Sequence, residues 1–332
     1  MKHTYCTLLD STYLLRGIAL YTSLVRHAPD AELTVFCFDD RAAEVLGDLR
    51  LRSMSVVTLD QLKAYRPELR AVEANRTRAE LCWTTTPVLP LYMFDSIPGL
   101  REVTYLDADL MFFSDPQPVF EEMGDASVLI TPHRYAPPHL HHQVAGIYNV
   151  QFLTFRNDQR GRRCLEWWRD RCQEWCFARL EDGKYGDQKY LDDWPTRFTG
   201  VHALACKGAG VAPWNLCAYE IRTSAEGVLI DGDPLIFFHY HGLRLRENGR
   251  HRLASPGYLV SRRARETIYG PYLDALAEAA GVVREQVPGF PLSLDPVPER
   301  TQRLREARIG VTERVIQRVG PLRKLRTRLA QG

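Results

Sequence analysis

The 332-residue chain lacks several features that would assign it to a class at once. Its eight cysteines include no CxxC pair. Cys172 and Cys176, four apart in "RCQEWC", would share a helix face, but no second ligand pair accompanies them. Buried thiols are therefore expected, rather than a zinc site or a disulfide framework. No apolar run approaches the roughly 18–20 residues that span a bilayer. The opening, "MKHTYCTLLDSTYLLRGIAL", has no positive-then-apolar layout of a secretory signal, so a cytoplasmic protein is expected. Internal repeats are absent too. A formal net charge of +2 favours no partner, and nucleic acid is not expected as one. Hydrophobic residues at 45% and charged residues at 25% fit an ordinary globular enzyme with a sizeable core.

What is present begins with alternation. "HTYCTLLD" reads as a strand and "STYLLRGIALYTSLVRH" as an amphipathic helix started by Ser11. "ELTVFCFDD" and "SMSVVTLD" are two more strands, residues 68–95 are largely helical with proline interruptions, and "REVTYLDADLMFF" is a fourth strand. Strands alternating with helices indicate an α/β fold, a mostly parallel Rossmann-like sheet with helices on both faces. Ligands on such sheets bind at the carboxyl ends of the strands, where Asp10, Asp39, Asp40 and Asp107 fall. From residue 126 the text changes. "ASVLITPHRY" and "GIYNVQFLTFR" are short strands around the loop "APPHLHHQVA". A helix follows, with Cys164, Leu165, Trp168, Cys172 and Cys176 on one stripe. After "GDQKYLDDWP" come the loop "KGAGVAPWN" and the strand "DPLIFFHYHG". No linker separates the two portions. One domain is expected over residues 1–260, with halves 1–125 and 126–260, followed by a basic, helical extension over 261–332. The arginine-rich tail from about residue 297 reads as a solvated helix, with peripheral contact on the inner face of a membrane as the functional alternative.

The pattern that carries chemistry is "TYLDADLMFFSD". Asp107 and Asp109, with Ala108 between them, stand inside an apolar segment where their charges repel. On an extended strand, side chains one residue apart point the same way, and hard oxygen ligands suit Mn²⁺ or Mg²⁺. Such an ion can bridge a diphosphate and stabilise it as a leaving group. His239 and His241 in "FFHYHG" alternate onto one face after an apolar run, so at least one can reach the metal.

Together these residues resemble the family 8 glycosyltransferases, the glycogenin-like retaining enzymes with the GT-A fold. The likeness runs in order over roughly residues 4–245. It rests on "TLLDSTYLLRGIALYTSL", "ELCWTTTPVLP…VTYLDADLMFFSD", "YNVQFLTFR", "YGDQKYLDD" and "FFHYHGLRL". The resemblance implies a GT-A domain that transfers a sugar, with retention, from a nucleotide diphosphate such as a UDP-hexose to an acceptor hydroxyl. It implies Asp107, Asp109 and His239 as metal ligands, His239 being chosen over His241 by the distance to Gly242. Asn149, Asp187 and Gln188 match residues around the transferred sugar. Thr7, Leu8, Asp10 and Tyr13 belong with the nucleotide, although Tyr13 stands one position earlier than the family's base-stacking tyrosine. Val150 and Gln151 replace the family's Ser-Gly, and its Lys-Pro-Trp after the histidine is missing. Arg244 or Arg246 then supplies the positive charge on the diphosphate. "APWN" at 212–215 places a Trp and an Asn on the acceptor side instead. The acceptor, a glycan, lipid-linked glycan or protein, is not legible. Two other readings compete. One is a haloacid-dehalogenase-type phosphatase with Asp107 as nucleophile, which Met111 disfavours; the other is a non-catalytic sugar-nucleotide binder. Asp187 also has a structural alternative, as the N-cap of "QKYLDDW".

Overall fold

The computed structural model describes residues 3–246 and 250–290. The first portion alternates as the sequence leads one to expect. It runs β1 (Thr4–Leu9), α1 (Leu14–His27), β2 (Glu32–Cys37), α2 (Asp40–Leu49), β3 (Met54–Thr58), α3 (Leu59–Tyr65), α4 (Leu69–Glu73), α5 (Arg78–Thr85), α6 (Val88–Ser96) and β4 (Glu102–Leu106). There follow β5 (Leu110–Phe112), α7 (Gln117–Met123), β6 (Val128–Pro132), β7 (Tyr148–Arg156), α8 (Gln159–Glu174), α9 (Trp194–Arg197) and β8 (Val201–Ala203). The chain then forms a small meander of β9 (Ile221–Ser224), β10 (Gly227–Ile230) and β11 (Asp233–Pro234), and continues as β12 (Phe237–His239). Helices α10 (Arg262–Ala264) and α11 (Gly270–Gln286) close the described chain, joined by a π-helical turn, Arg265–Tyr269.

Seven strands form the central sheet in the order β3-β2-β1-β4-β7-β6-β8. Within it only β7 runs against the rest, pairing antiparallel with both β4 and β6. Both faces are covered, so the strands read as continuous apolar runs rather than alternating ones. In β1, Tyr5 and Leu9 enter the cluster beneath α1, α2 and α11, while Cys6 enters the opposite cluster beneath α6 and α8. The expected α/β fold with a mostly parallel sheet is thus present.

Four local expectations are corrected. Helix α1 starts at Leu14, and no side chain caps it. Ser11 instead donates its N–H to Asp39 (2.8 Å), which also caps α2 by accepting from Ala42 N (2.8 Å). The fourth strand is two strands, because the chain turns through Asp107–Asp109 and leaves the sheet as β5. The loop after β6 is a 3₁₀ helix, Pro137–Ala145. Cys176 lies beyond the end of α8, although it is buried in the same cluster as Cys164, Leu165, Trp168 and Cys172. Cys6 and Cys37 are buried too, whereas Cys82 and Cys206 are half-buried and Cys217 is exposed.

The expected C-terminal extension is helical over 262–286, and the arginine-rich tail lies outside the described residues. Helix α11 packs on α1, and its Tyr272 stacks on Tyr240 at 3.6 Å between ring centres. Tyr240 also donates its hydroxyl to Ile268 O (2.8 Å), so the segment after β12 is held from behind. No helix among the described residues is long and apolar enough to cross a membrane.

The position of β12 depends on Gly208. Its carbonyl accepts the N–H of Ile236 (2.8 Å), and a Cβ there would meet the Pro234 carbonyl oxygen at 1.9 Å. Gly208→Ala should therefore cost about 1–3 kcal/mol in urea unfolding, as overpacking against backbone does.

Candidate metal centre

The carboxyl edge of the sheet sets the order of the site. Moving across it, β1 delivers Leu8 to Asp10, β4 delivers Asp107, β7 delivers Asn149 at its start, and β6 delivers His133 just past its end. These residues line one cavity of about 610 Å³.

The two aspartates do not share a strand face, as the strand reading supposed. They share a turn. Asp107 N–H donates to Gln151 O of β7 (2.9 Å), and Leu110 N–H returns to Asp107 O (3.3 Å). β5 then pairs antiparallel with β12, with Leu110 opposite His239. Tyr240 N–H donates to Asp109 O (3.0 Å), and His239 N–H to Val211 O (2.9 Å). That ribbon brings the imidazole to the carboxylates: His239 Nε2 lies 3.0 Å from Asp109 Oδ1 and 3.7 Å from Asp107 Oδ2. Tyr105 donates its hydroxyl to Asp107 Oδ1 (2.9 Å). His239 is held edge-on by Trp214, with ring centres 5.3 Å apart.

Electrostatics mark the three groups as a unit. Burial and the neighbouring Asp109 push Asp107 up to about 6, against the pull of His239 and the Tyr105 hydroxyl. Burial would also raise Asp109, but the His239 imidazole and its hydrogen bond outweigh it and hold Asp109 at about 2. Burial depresses His239, yet the two aspartates more than compensate, so it is raised. One ligand atom from each of Asp107, Asp109 and His239 falls within 4.8 Å of the others. Two hard oxygens and one imidazole nitrogen, converging with a formal charge of −2, fit a divalent cation such as Mn²⁺.

Around this centre the other expected residues separate. Leu8, Asp10, Tyr13 and Ala108 line the cavity, whereas the Thr7 side chain is buried in the sheet and does not. Arg244 lines it, and Arg246 does not; the backbone N–H of Arg246 goes to His251 Nδ1 (3.0 Å). Asn149 and Gln188 are joined, Nδ2 to Oε1 at 3.3 Å, and Gln188 Nε2 is anchored on Ala145 O (2.9 Å). Asn149 Oδ1 accepts from Gln151 N (3.0 Å), which fixes the orientation of the amide. Its Nδ2 therefore donates to His133 Nε2 (3.1 Å). Asp187 precedes a 3₁₀ helix, Gln188–Asp193, but its side chain makes no capping bond, so the N-cap alternative does not hold. Its carbonyl accepts from Trp168 Nε1 (2.9 Å). Burial and the nearby Asp107 push its carboxyl up to about 8.

Sequence reasoning missed Arg78, Trp83, Tyr105, His133, Tyr135, His142, Tyr185 and Tyr258, all of which line the cavity. Trp83, Tyr105 and Tyr185 stand inside the motifs that carry the resemblance but had no role there; the others carry no spacing signal. Trp214 of "APWN" lines it as well, while Asn215 is a buried brace, donating to the carbonyls of His133 and Gly210 (2.9 Å each).

This architecture matches that of a solved galactosyltransferase, LgtC, in complex with donor and acceptor sugar analogues. The TM-score is 0.53 at 15% identity, over 90% of this chain and 99% of that one. The fold is the GT-A glycosyltransferase fold that the family 8 resemblance implied. No protein-family model matches the chain. Two Bacillus subtilis (strain 168) proteins, both described as uncharacterized, are similar in sequence. YfnF is 34% identical over 253 residues, 74% of this chain and 83% of its own, and YfnD is 30% identical over 289 residues, 86% and 92%. The chain belongs to the family of YfnF and YfnD.

Two outcomes test the centre. Mn²⁺ at about a hundred times its Kd should add roughly 2.7 kcal/mol to stability. His239→Ala should remove that gain, and His241→Ala should reduce it less; titration calorimetry ranks the two. The second concerns Asp187 in EDTA. Its folded-state pKa of about 8 lies above the ordinary 3.8. The folded chain then keeps a proton the unfolded chain has released, and stability falls as pH rises through that window. Asp187→Asn lacks this loss, so its melting temperature should gain on the wild type between pH 5 and pH 8.

Proposed function

We propose that this chain is a metal-dependent glycosyltransferase that moves a sugar from a nucleotide diphosphate, with UDP-hexose as the working donor, to an acceptor hydroxyl. One observation carries the reading: Asp107, Asp109 and His239 converge within 4.8 Å in a cavity at the carboxyl edge of a GT-A sheet. The nucleoside lies over the half formed by residues 1–125, and the transferred sugar and the acceptor over 126–260.

Asp107, Asp109 and His239 would hold Mn²⁺ or Mg²⁺, which would supply positive charge to the diphosphate and improve it as a leaving group. Leu8, Asp10 and Tyr13 border the nucleoside, and Tyr13, partly exposed, is backed by the Arg16 guanidinium at 4.4 Å. Arg244, which lines the cavity, adds positive charge beside the phosphates in place of the missing family lysine. Asn149 and Gln188, braced through His133, Ala145 and Gln151, orient the transferred sugar by hydrogen bonds. Asp187 is suited to a sugar hydroxyl: its carboxyl is buried and held near 8, so at neutral pH it offers both a donor and an acceptor. Fixed polar groups of this kind stabilise charge that develops only during bond cleavage, without reorganising. Retention at the anomeric carbon is taken from the family 8 resemblance.

Incubation with UDP-sugars and Mn²⁺, reading free UDP, tests the proposal. Wild type should release UDP, and Asp109→Asn should lose at least about a hundredfold of that rate, in line with removing a key electrostatic group, while remaining folded. Release of inorganic phosphate instead would point to the phosphatase reading. Binding of sugar nucleotide with release of neither would point to a non-catalytic binder.

A further inference from the structure

The carboxylate of Asp107 is held from two sides. Tyr105 belongs to β4, and Asp107 follows that strand's last residue. At a spacing of two, side chains leave an extended chain on the same side, so the phenol runs alongside the carboxylate. The Tyr105 side chain is 4% exposed and packs with the apolar residues beneath α6 and α8. A phenol buried so far needs a partner, and Asp107 Oδ1 accepts its proton at 2.9 Å. The other oxygen, Oδ2, is left on the imidazole side, 3.7 Å from His239 Nε2. Because the Asp107 N–H and carbonyl are both engaged, the backbone cannot swing to change this arrangement. One oxygen is committed to the protein and one to the site.

The phenol is itself held. Thr84, Thr85 and Thr86 each turn their hydroxyl back onto the carbonyl four residues earlier, at 2.7, 2.6 and 3.1 Å. Of the three, only Thr86 lines the cavity. Its hydroxyl is also hydrogen-bonded to Tyr105 and to Asp187. Two hydroxyls thus join the metal carboxylate to the carboxyl of Asp187.

How many oxygens a carboxylate can offer decides which cation it suits. Ca²⁺ gathers roughly six to eight oxygens and readily takes both from one carboxylate. Mg²⁺ and Mn²⁺ favour a tighter octahedron, which one or two carboxylates and water complete. We propose that Tyr105 is a specificity-determining residue of the metal centre: by occupying Asp107 Oδ1 it limits that carboxylate to one ligand oxygen and so disfavours calcium. Thr86 keeps the phenol in place. This role rests on the metal assignment of the cavity, and not on sugar transfer.

Removing the phenol has two opposed effects. A hydrogen bond draws charge from the carboxylate, so its loss alone would strengthen metal binding. The loss also frees the carboxylate to turn, and losing such an outer partner costs roughly 10–100-fold in affinity, so orientation dominates for Mn²⁺. For Ca²⁺ the released oxygen is a ligand gained, which offsets the lost orientation.

Calorimetry on the full chain with Mn²⁺ or Ca²⁺ alone, without nucleotide, tests this. Wild type should prefer Mn²⁺. Tyr105→Phe should weaken Mn²⁺ about tenfold and leave Ca²⁺ within about twofold, so the preference narrows. Thr86→Val should narrow it about threefold, and Thr86→Ser, which restores the hydroxyl, by less than about twofold. Thr84→Val loses the same kind of backbone bond away from the cavity and should leave both Kd values at the wild-type level. Melting curves check that each variant folds. General loosening would weaken both cations alike, so an unchanged ratio in Tyr105→Phe overturns the proposal, as does tighter Mn²⁺ binding in that variant. A wild type that binds no Mn²⁺, or prefers Ca²⁺, overturns it together with the metal assignment. UDP release is read separately: a chain that shows the shifted ratio but releases no UDP loses the glycosyltransferase reading and keeps the role of Tyr105.

Discussion

Two carboxylates forced together inside an apolar turn, and an imidazole delivered to them from more than a hundred residues away, determine how the rest of this molecule is arranged. Asp107 and Asp109 repel each other where water can do little to screen them. The β5–β12 ribbon answers that by setting His239 3.0 Å from Asp109. Everything that fixes the ribbon serves the same end: the close approach of Gly208 to Pro234, the hydrogen bond from Tyr240 to Ile268, and the stacking of Tyr272 on Tyr240. An imidazole brought to two carboxylates in this way leaves three ligand atoms within 4.8 Å of one another.

The same sheet edge then distributes chemistry by strand order. Acids and arginines gather around β1, β4, α5 and the segment after β12, while β6 and the 3₁₀ helix bring imidazoles and phenols. β7, reversed relative to its neighbours, begins at this edge and so presents Asn149 between the two regions. A parallel strand in that place would have brought its end there, not its beginning. The reversal is what lets one short segment touch the Asp107–Asp109 turn through Gln151, and Gln188 and His133 through Asn149.

Much of this was legible in the sequence, for physical reasons. Buried parallel strands leave unbroken apolar runs, so β1 to β4 and the carboxyl edge could be read directly. The Asp-x-Asp pair stood out because charge inside such a run needs a partner. Its geometry was not legible: an extended strand and a tight turn both bring the carboxylates near each other, and only the pairing of β5 with β12 tells them apart. Ser11 looked like a helix cap because Asp39, the group that takes its N–H, lies 28 residues away. His133, Tyr135 and Tyr258 escaped because their cooperation is set by tertiary contact between segments up to 125 residues apart, which no spacing rule records. Arg246 was indistinguishable from Arg244 until the backbone bridge to Arg252 fixed which of them lines the cavity.

Arg16 gives the fold a property of its own. Buried in the first turns of α1, its guanidinium donates to Thr12 O (3.1 Å) and Leu243 O (3.2 Å) while lying 4.4 Å from the centre of the Tyr13 ring. One rigid cation thereby bolts the turn after β1 to the chain immediately beyond His241. The turn that carries Asp10 and the segment that carries Arg244 are thus held to a single buried group, although the two lie more than 200 residues apart in the chain.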